Sequence, residues 1–173
     1  MSLPYVIMAL VTLQRLAELA IAASNTRHLR ALGAIEIGRS HYPAMVALHA
    51  SWIAILWLSV GARAVNLPLL GLFILLQALR VWVLASLGRR WTTRIIVVPG
   101  MPLVTGGPFR FLRHPNYCVV VGEIAILPLV FGQIWIAVVF TVLNAAMLWV
   151  RIRTETGAIY GLDVSTKCVT PEA

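Results

Sequence analysis

The chain has 173 residues, 60% of them hydrophobic and 12% charged, with a net charge of +8 and a mean hydropathy of +0.89. A soluble domain carries about 25% charged residues, so a soluble globular class is excluded, and the length leaves room for one membrane-embedded domain and no second. The basic residues lie between apolar runs rather than on a polar face, which points to membrane topology and excludes nucleic-acid binding.

The first apolar run covers Leu3 to Ser24 and contains Arg15 and Glu18. It lacks a positive n-region and a small-residue cleavage site, so it reads as a retained helix rather than a signal peptide. A polar loop follows from Asn25 to Ser40, with Arg27, Arg30 and Arg39. The second run is Tyr42 to Val60, and a link with Arg63, Asn66 and Pro68 leads to the third, Leu69 to Leu87, which contains Arg80. Residues 1–87 thus form three N-terminal spans, each near the ~20 residues that a crossing helix needs.

The polar stretch from Gly88 to Tyr117 holds Arg89, Arg90, Arg94, Arg110 and Arg113, with Gly100, Gly106 and Gly107 and four prolines. Its β-branched segment Thr92–Val98, ahead of Pro99-Gly100, predicts a short strand and turn, read as a small hairpin. From Cys118 to Arg153 the chain is apolar for too long to be one untilted span. Pro128, Gly132 and Gln133 mark a tight turn near Phe131–Gln133, so a helical hairpin is expected over 118–155. The tail, 156–173, is polar and expected to be weakly ordered. The fold class is therefore an all-α integral membrane protein of about five transmembrane helices. Cys118 opens an apolar run and Cys168 lies in the tail, which suggests neither a disulfide nor a metal site.

Five spans predict an orientation. With the N-terminus away from the cytosol, the first loop, the long third loop and the tail share one side and hold eleven of the fourteen Lys and Arg residues. The opposite side holds Arg63 alone, as the positive-inside rule expects. A single span over 118–153 would reverse the side of Arg151 and Arg153.

Three motifs stand near the expected cytosolic face: Leu103-Val104-Thr105-Gly106-Gly107-Pro108-Phe109, Arg113-His114-Pro115-Asn116-Tyr117, and Arg151-Ile152-Arg153-Thr154-Glu155. Arg151 and Glu155, four apart, share one face of the last helix. In order and spacing these motifs resemble the isoprenylcysteine carboxyl methyltransferase family across Arg94 to Glu155, about a third of the chain. The N-terminal half resembles a bacterial branch of it through Arg15-Leu16-Ala17-Glu18-Leu19, Gly33-Ala34-Ile35-Glu36 and His41-Tyr42-Pro43-Ala44-Met45-Val46.

The resemblance implies S-adenosyl-L-methionine as methyl donor, bound at the cytosolic surface of the membrane. Met101, Leu103, Val104, Phe109, His114, Pro115, Asn116 and Tyr117 would line its site, with Arg94 a further polar contact. Glu155 would bind the donor and Arg151 would face the acceptor, so Arg151, His114 and Glu155 are the expected catalytic residues. Glu155 can pair an amino group, an aromatic ring can pack on adenine or face a sulfonium, and free N–H groups after Pro115 can take a carboxylate. Methyl transfer is an in-line displacement, helped most by alignment and desolvation. A phenolic acceptor also needs a base, such as His114 or Glu155. The chain departs from the family pattern at Thr156, where many members carry a second glutamate, and in its short tail.

Charges inside a span cost about 2.5–3.5 kcal/mol each at mid-bilayer, so Arg15 is expected to pair with Glu18, and Arg80 with Glu123. Glu123, two turns past the loop motif, is also a candidate for the active cavity. His41 is a candidate for the acceptor pocket, ahead of His49. Most of the six tryptophans are expected at the interface or facing lipid, with Trp91 in the site-bearing loop as the exception. The acceptor expected from the bacterial branch is a lipophilic small molecule entering from the bilayer of a bacterial inner membrane, a long-chain polyketide hydroxyl of the alkylpyrone or alkylresorcinol type. The carboxylate of a prenylated cysteine, a lipid amine, and a non-catalytic transport or assembly role are the alternatives.

Overall fold

A computed structural model describes residues 2–102 and 104–167, with side chains in the last helix described to residue 157. Five α-helices run up and down: α1 Leu3–Ala31, α2 Tyr42–Ser59, α3 Leu67–Leu87, α4 Pro115–Val130 and α5 Ile134–Lys167. The first four each carry proline in their first turn, where the missing N–H has no intrahelical partner to lose. The Asn66 side chain caps α3 by accepting from the Leu69 N–H at 3.1 Å.

Helices α1, α2, α3 and α5 are long and apolar enough to cross a membrane. Helix α4 has 16 residues, about 24 Å at 1.5 Å per residue, and falls short of the ~30 Å hydrocarbon core. The expected five helices are therefore present, and four of them have the length of a span. Exposed Leu58, Trp135, Trp149 and Val142 clothe the outside of the bundle, the surface a lipid-facing protein presents.

The tight turn between α4 and α5 falls at Phe131–Gln133, where it was expected. Gly132 sits at φ 69°, and the Gln133 N–H closes the turn onto the Pro128 carbonyl at 2.9 Å. Around that end of the bundle Met8, Val11, Leu56, Val60, Phe73, Leu127, Val130 and Phe131 form the packed core. Trp52 joins it at 1% exposed and is not interfacial. The opposite end, where α1, α3 and α5 finish and α2 and α4 begin, carries the connecting loops.

Two expectations at that loop end are corrected. Helix α1 continues to Ala31 rather than stopping at Ser24, because Asn25 donates to the Trp91 carbonyl at 2.8 Å and the Gly88 carbonyl at 3.2 Å, so tertiary bonds hold the polar turns helical. The strand expected in 92–98 forms as β2, Ile95–Val97, but not as a local hairpin. It pairs antiparallel with β1, Ile35–Ile37, in the register Ile35 opposite Val97 and Ile37 opposite Ile95. Helix α5 itself runs to Lys167, and the remainder of the expected tail lies outside the described residues.

The strand pair is pinned by charge. Glu36 accepts from Arg30 at 2.6 Å and from Arg94, and Arg94 also lies 4.0 Å over the Tyr42 ring. Burial works to raise the Glu36 carboxyl pKa, but the hydrogen bonds and charges of Arg94 and Arg30 outweigh it and hold the group below its ordinary 4.5. A carboxyl lowered by folding adds stability above its unfolded pKa and loses that contribution as pH falls through the folded value. Protection of the Ile95–Val97 amides from hydrogen exchange should therefore fall as pH drops below about 4.5. In Glu36→Gln the protection should be lower at neutral pH and insensitive to acid across that window.

Candidate active site

Each helix brings its own part to the loop end of the bundle. Tyr117, in the first turn of α4, donates from its hydroxyl to Glu155 Oε2 of α5 at 2.5 Å. Arg151, one turn before Glu155, donates from Nε to the same hydroxyl at 3.0 Å. Its Nη1 meets the Thr93 carbonyl at 2.9 Å and Met45 Sδ at 2.8 Å. The His114 ring stacks on Tyr117 with centroids 5.2 Å apart. The Arg-His-Pro-Asn-Tyr motif and the end of the last helix thus meet through side chains 34 and 38 residues apart.

Behind this cluster lies a cavity of about 420 Å³, within the ~300–1,000 Å³ range of small-molecule sites. Arg151, Tyr117, Asn116, Trp91 and Thr93 line its loop end. Its walls are apolar, from α1, α2, α4 and α5, and include Leu16, Val46, Ile53, Val120 and Leu148. Arg15, Glu18, Arg80, Glu123 and His49 line its inner part. Tyr117 and Glu123 are six residues apart on α4, so the two polar ends stand about 9 Å apart by helix rise.

The inner charges form one closed network. Arg80 grips Glu18 with two bonds at 2.6 and 2.7 Å and reaches Glu123 at 2.7 Å. Arg15 bonds Glu18 at 2.9 Å and Glu123 at 2.8 Å. Gln77 donates to Glu123 at 2.8 Å, and Gln14 bridges Glu18 and Gln77. Both expected pairs are present, and two further cross-links join them. Two cations and two carboxylates sum to zero, so the buried group carries no net charge into the bilayer.

The structure brings some of the expected site residues together and not others. Arg151, Tyr117, Asn116 and Glu123 line the cavity, and Glu155 and His114 touch Tyr117. Pro115 opens α4 with no side-chain cap at His114. Met101, Val104 and Phe109 do not line the cavity. Their loop lies on the end of α3, where Gly107 at φ 60° comes so close that a Cβ would stand 2.3 Å from Ser86 Oγ. Leu103 lies outside the described residues.

Arg94 is occupied by Glu36 and Tyr42 rather than by the cavity. His41 is half-buried beside Gly38, whose added Cβ would meet His41 at 2.2 Å and Thr154 at 2.8 Å. Burial and the nearby Arg151 charge push its imidazole below the ordinary 6.5. The histidine in the cavity wall is His49, with Nδ1 2.9 Å from the Met45 carbonyl. Met45, His49, Trp52 and Ile53 follow one inner stripe of α2 at helical spacing, and that spacing is the signal that separates His49 from His41. Trp91, 4% exposed, is a wall of the cavity.

The groups around Tyr117 fit S-adenosylmethionine. Asn116 Oδ1 is buried without a partner among the described residues and can accept from an N–H. Glu155 has carboxylate lone pairs beyond the one that Tyr117 uses, suited to an amino group. At the start of α4 Pro115 has no N–H and those of Tyr117 and Cys118 bond the His114 carbonyl, which leaves the Asn116 N–H for a carboxylate. The stacked His114 and Tyr117 rings offer a flat apolar surface to a base.

Comparison with known proteins agrees with this architecture. The model of the isoprenylcysteine carboxyl methyltransferase (ICMT) family matches residues 69–160, from α3 through Glu155. A protein of Bacillus subtilis (strain 168), described as "Uncharacterized protein YpbQ", is 38% identical over 165 residues, which cover 92% of this chain and 98% of the relative. An "Uncharacterized protein" of Haemophilus influenzae (strain ATCC 51907 / DSM 11121 / KW20 / Rd) is 28% identical over 154 residues, 84% of this chain and 88% of its own. No solved structure matches the chain significantly. With the match spanning the site-bearing loop, the helical hairpin and the Arg151–Glu155 tip, this integral membrane protein belongs to the isoprenylcysteine carboxyl methyltransferase (ICMT) family of S-adenosylmethionine-dependent membrane methyltransferases.

Proposed function

We propose that the protein methylates an oxygen of a lipophilic acceptor, using S-adenosylmethionine bound where α4 begins and α5 nears its end. The observation that carries this reading is the Tyr117–Glu155–Arg151 cluster standing at one end of a cavity whose other walls are membrane helices. The side facing the cytosol is the loop end, supported by the eleven of fourteen basic residues gathered there.

S-adenosylmethionine, when bound, supplies an electrophilic methyl group on a sulfonium. The chain's own part is to hold, align and exclude water. Glu155, Asn116 and the start of α4 hold the polar ends of the donor, with Tyr117 and His114 against its base. Arg151, fixed on three sides by Tyr117, Thr93 and Met45, presents its remaining N–H groups to the acceptor oxygen. The apolar walls keep water from that oxygen and leave it a stronger nucleophile. A carboxylate or acidic enol arrives deprotonated. A phenol passes its proton through the Tyr117 hydroxyl to Glu155 Oε2 along the bond already made at 2.5 Å.

Among acceptors, a long-chain polyketide hydroxyl of the alkylpyrone or alkylresorcinol type is preferred, from the resemblance of the N-terminal half to the bacterial branch. The carboxylate of a prenylated cysteine is compatible with the same Arg151. An amine is disfavoured, since a cation faces it where a carboxylate would be needed.

The chemistry of the product separates these readings. Purified protein in liposomes made from native membrane lipid is given methyl-labelled S-adenosylmethionine, and the organic phase is counted. Label that stays in the organic phase through mild alkali is the expected result and marks an ether. Release as methanol marks a carboxyl ester and replaces the hydroxyl by the prenylcysteine-type acceptor. Label in a basic, acid-extractable fraction marks an amine. No transfer at all would leave the non-catalytic role.

A further inference from the structure

The inner end of the cavity holds side chains that the methyl-transfer cluster does not use. Trp52 Nε1 of α2 and Asn144 Nδ2 of α5 are both buried without a partner among the described residues. Each residue is 1% exposed, and both line the cavity. Buried polar groups are almost always paired, because a buried N–H without a partner has lost its water and gained nothing in return. Trp91 Nε1 is a third such group, at the loop end of the same cavity, and the two at the inner end call for an external partner of their own.

The type of partner follows from what is already satisfied. Arg15, Glu18, Arg80 and Glu123 bind one another and sum to zero charge, so among the described residues the inner end offers neither a free cation nor a free carboxylate. Both lone groups are N–H donors. The matching ligand atom is a neutral oxygen acceptor, a carbonyl or ether, and not an ammonium or a second carboxylate. Asn144 lies seven residues before Arg151 on α5, about 10 Å by helix rise, and the walls between are apolar.

We infer that the inner end of the cavity is a second recognition site, which takes a neutral carbonyl or ether oxygen carried on the acceptor about two helical turns from the oxygen held at Arg151. The inference rests on reading the cavity as the acceptor site, and it makes that acceptor a two-oxygen lipophile with an apolar stretch between. A chain with a single polar head satisfies Arg151 and leaves Trp52 and Asn144 unpaired.

Two probes test it on the purified protein in detergent: octadecanoic acid and its mid-chain keto derivative, with affinities measured by calorimetry. Each offers a carboxylate to Arg151, and only the second offers an inner carbonyl. The keto acid should bind about tenfold more tightly, the worth of one or two neutral hydrogen bonds. That ratio should fall toward one in Asn144→Leu and in Trp52→Phe, the second of which keeps an aromatic ring while removing the N–H with the rest of the indole's five-membered ring. Equal affinities in the unaltered protein, as when a buried water satisfies both donors, would overturn the inference, as would a ratio that persists in both variants. The acceptor reading is scored separately by Arg151→Leu, which should weaken both probes alike. Should neither probe bind the unaltered protein, that reading fails and the inference with it.

Discussion

Arg151→Leu should lower methyl transfer by about 10²–10³-fold, the usual cost of losing one preorganised donor to the reacting oxygen, while leaving S-adenosylmethionine binding within a few-fold of the unaltered protein. Three of the Arg151 contacts are internal, to Tyr117, Thr93 and Met45, so its head is locked before any acceptor arrives and loses little freedom when one does. Lysine is no substitute here. It has one charged nitrogen, whereas the guanidinium bonds Tyr117 and Thr93 and still has N–H groups left for the acceptor. Arg151→Lys should therefore recover only a small part of the lost rate. Initial rates of label transfer, alongside donor affinity for each variant, would check both statements. A fall in donor affinity as large as the fall in rate would move Arg151 from the acceptor to the donor.

The second large effect is on stability. Arg80→Leu leaves Glu18 and Glu123, 5% and 1% exposed, with Arg15 as the one cation between them among the described residues. Breaking a buried ion group from one side costs about 3–5 kcal/mol, because the remaining charge loses compensation, whereas removing the whole group is often neutral or stabilising. The single variant should therefore unfold at a clearly lower temperature in detergent. The fourfold variant Arg15→Met, Glu18→Leu, Arg80→Met, Glu123→Leu should recover most of the loss. Scanning fluorimetry of the three proteins reads this directly. If Arg80→Leu melts with the unaltered protein, the network is not a stabilising element, and its neutrality has no energetic meaning.

Much of this was legible in the residues, and the illegible parts share a cause. The apolar runs gave the helices, and the Pro128–Gln133 signals located the hairpin turn, because both depend on neighbours in sequence. The meeting of Tyr117 with Arg151 and Glu155 followed from the resemblance, since no local pattern ties residue 117 to residue 155. Long-range partners decided what was missed. Asn25 extends α1 by bonding Gly88 and Trp91, and β2 pairs with a strand near Glu36 instead of folding back on itself. Arg94 was placed with the donor site, but Glu36, which holds it, comes from the first loop. Arg15 and Glu18 looked like a private pair at short spacing, yet α3 and α4 each add a charge and make the pair a network. His41 was preferred over His49 although both lie near the start of the second span, and what separates them is which stripe of α2 faces the cavity.

The account depends most on where the methyl donor sits. Calorimetry of S-adenosylmethionine binding to the purified protein in detergent, with Glu155→Ala as the comparison, tests that placement directly. The account predicts saturable binding at one site per chain, weakened at least about tenfold in Glu155→Ala by the loss of a charge-assisted bond. Binding of equal strength in the two proteins would contradict it and place the donor away from the meeting of α4 and α5.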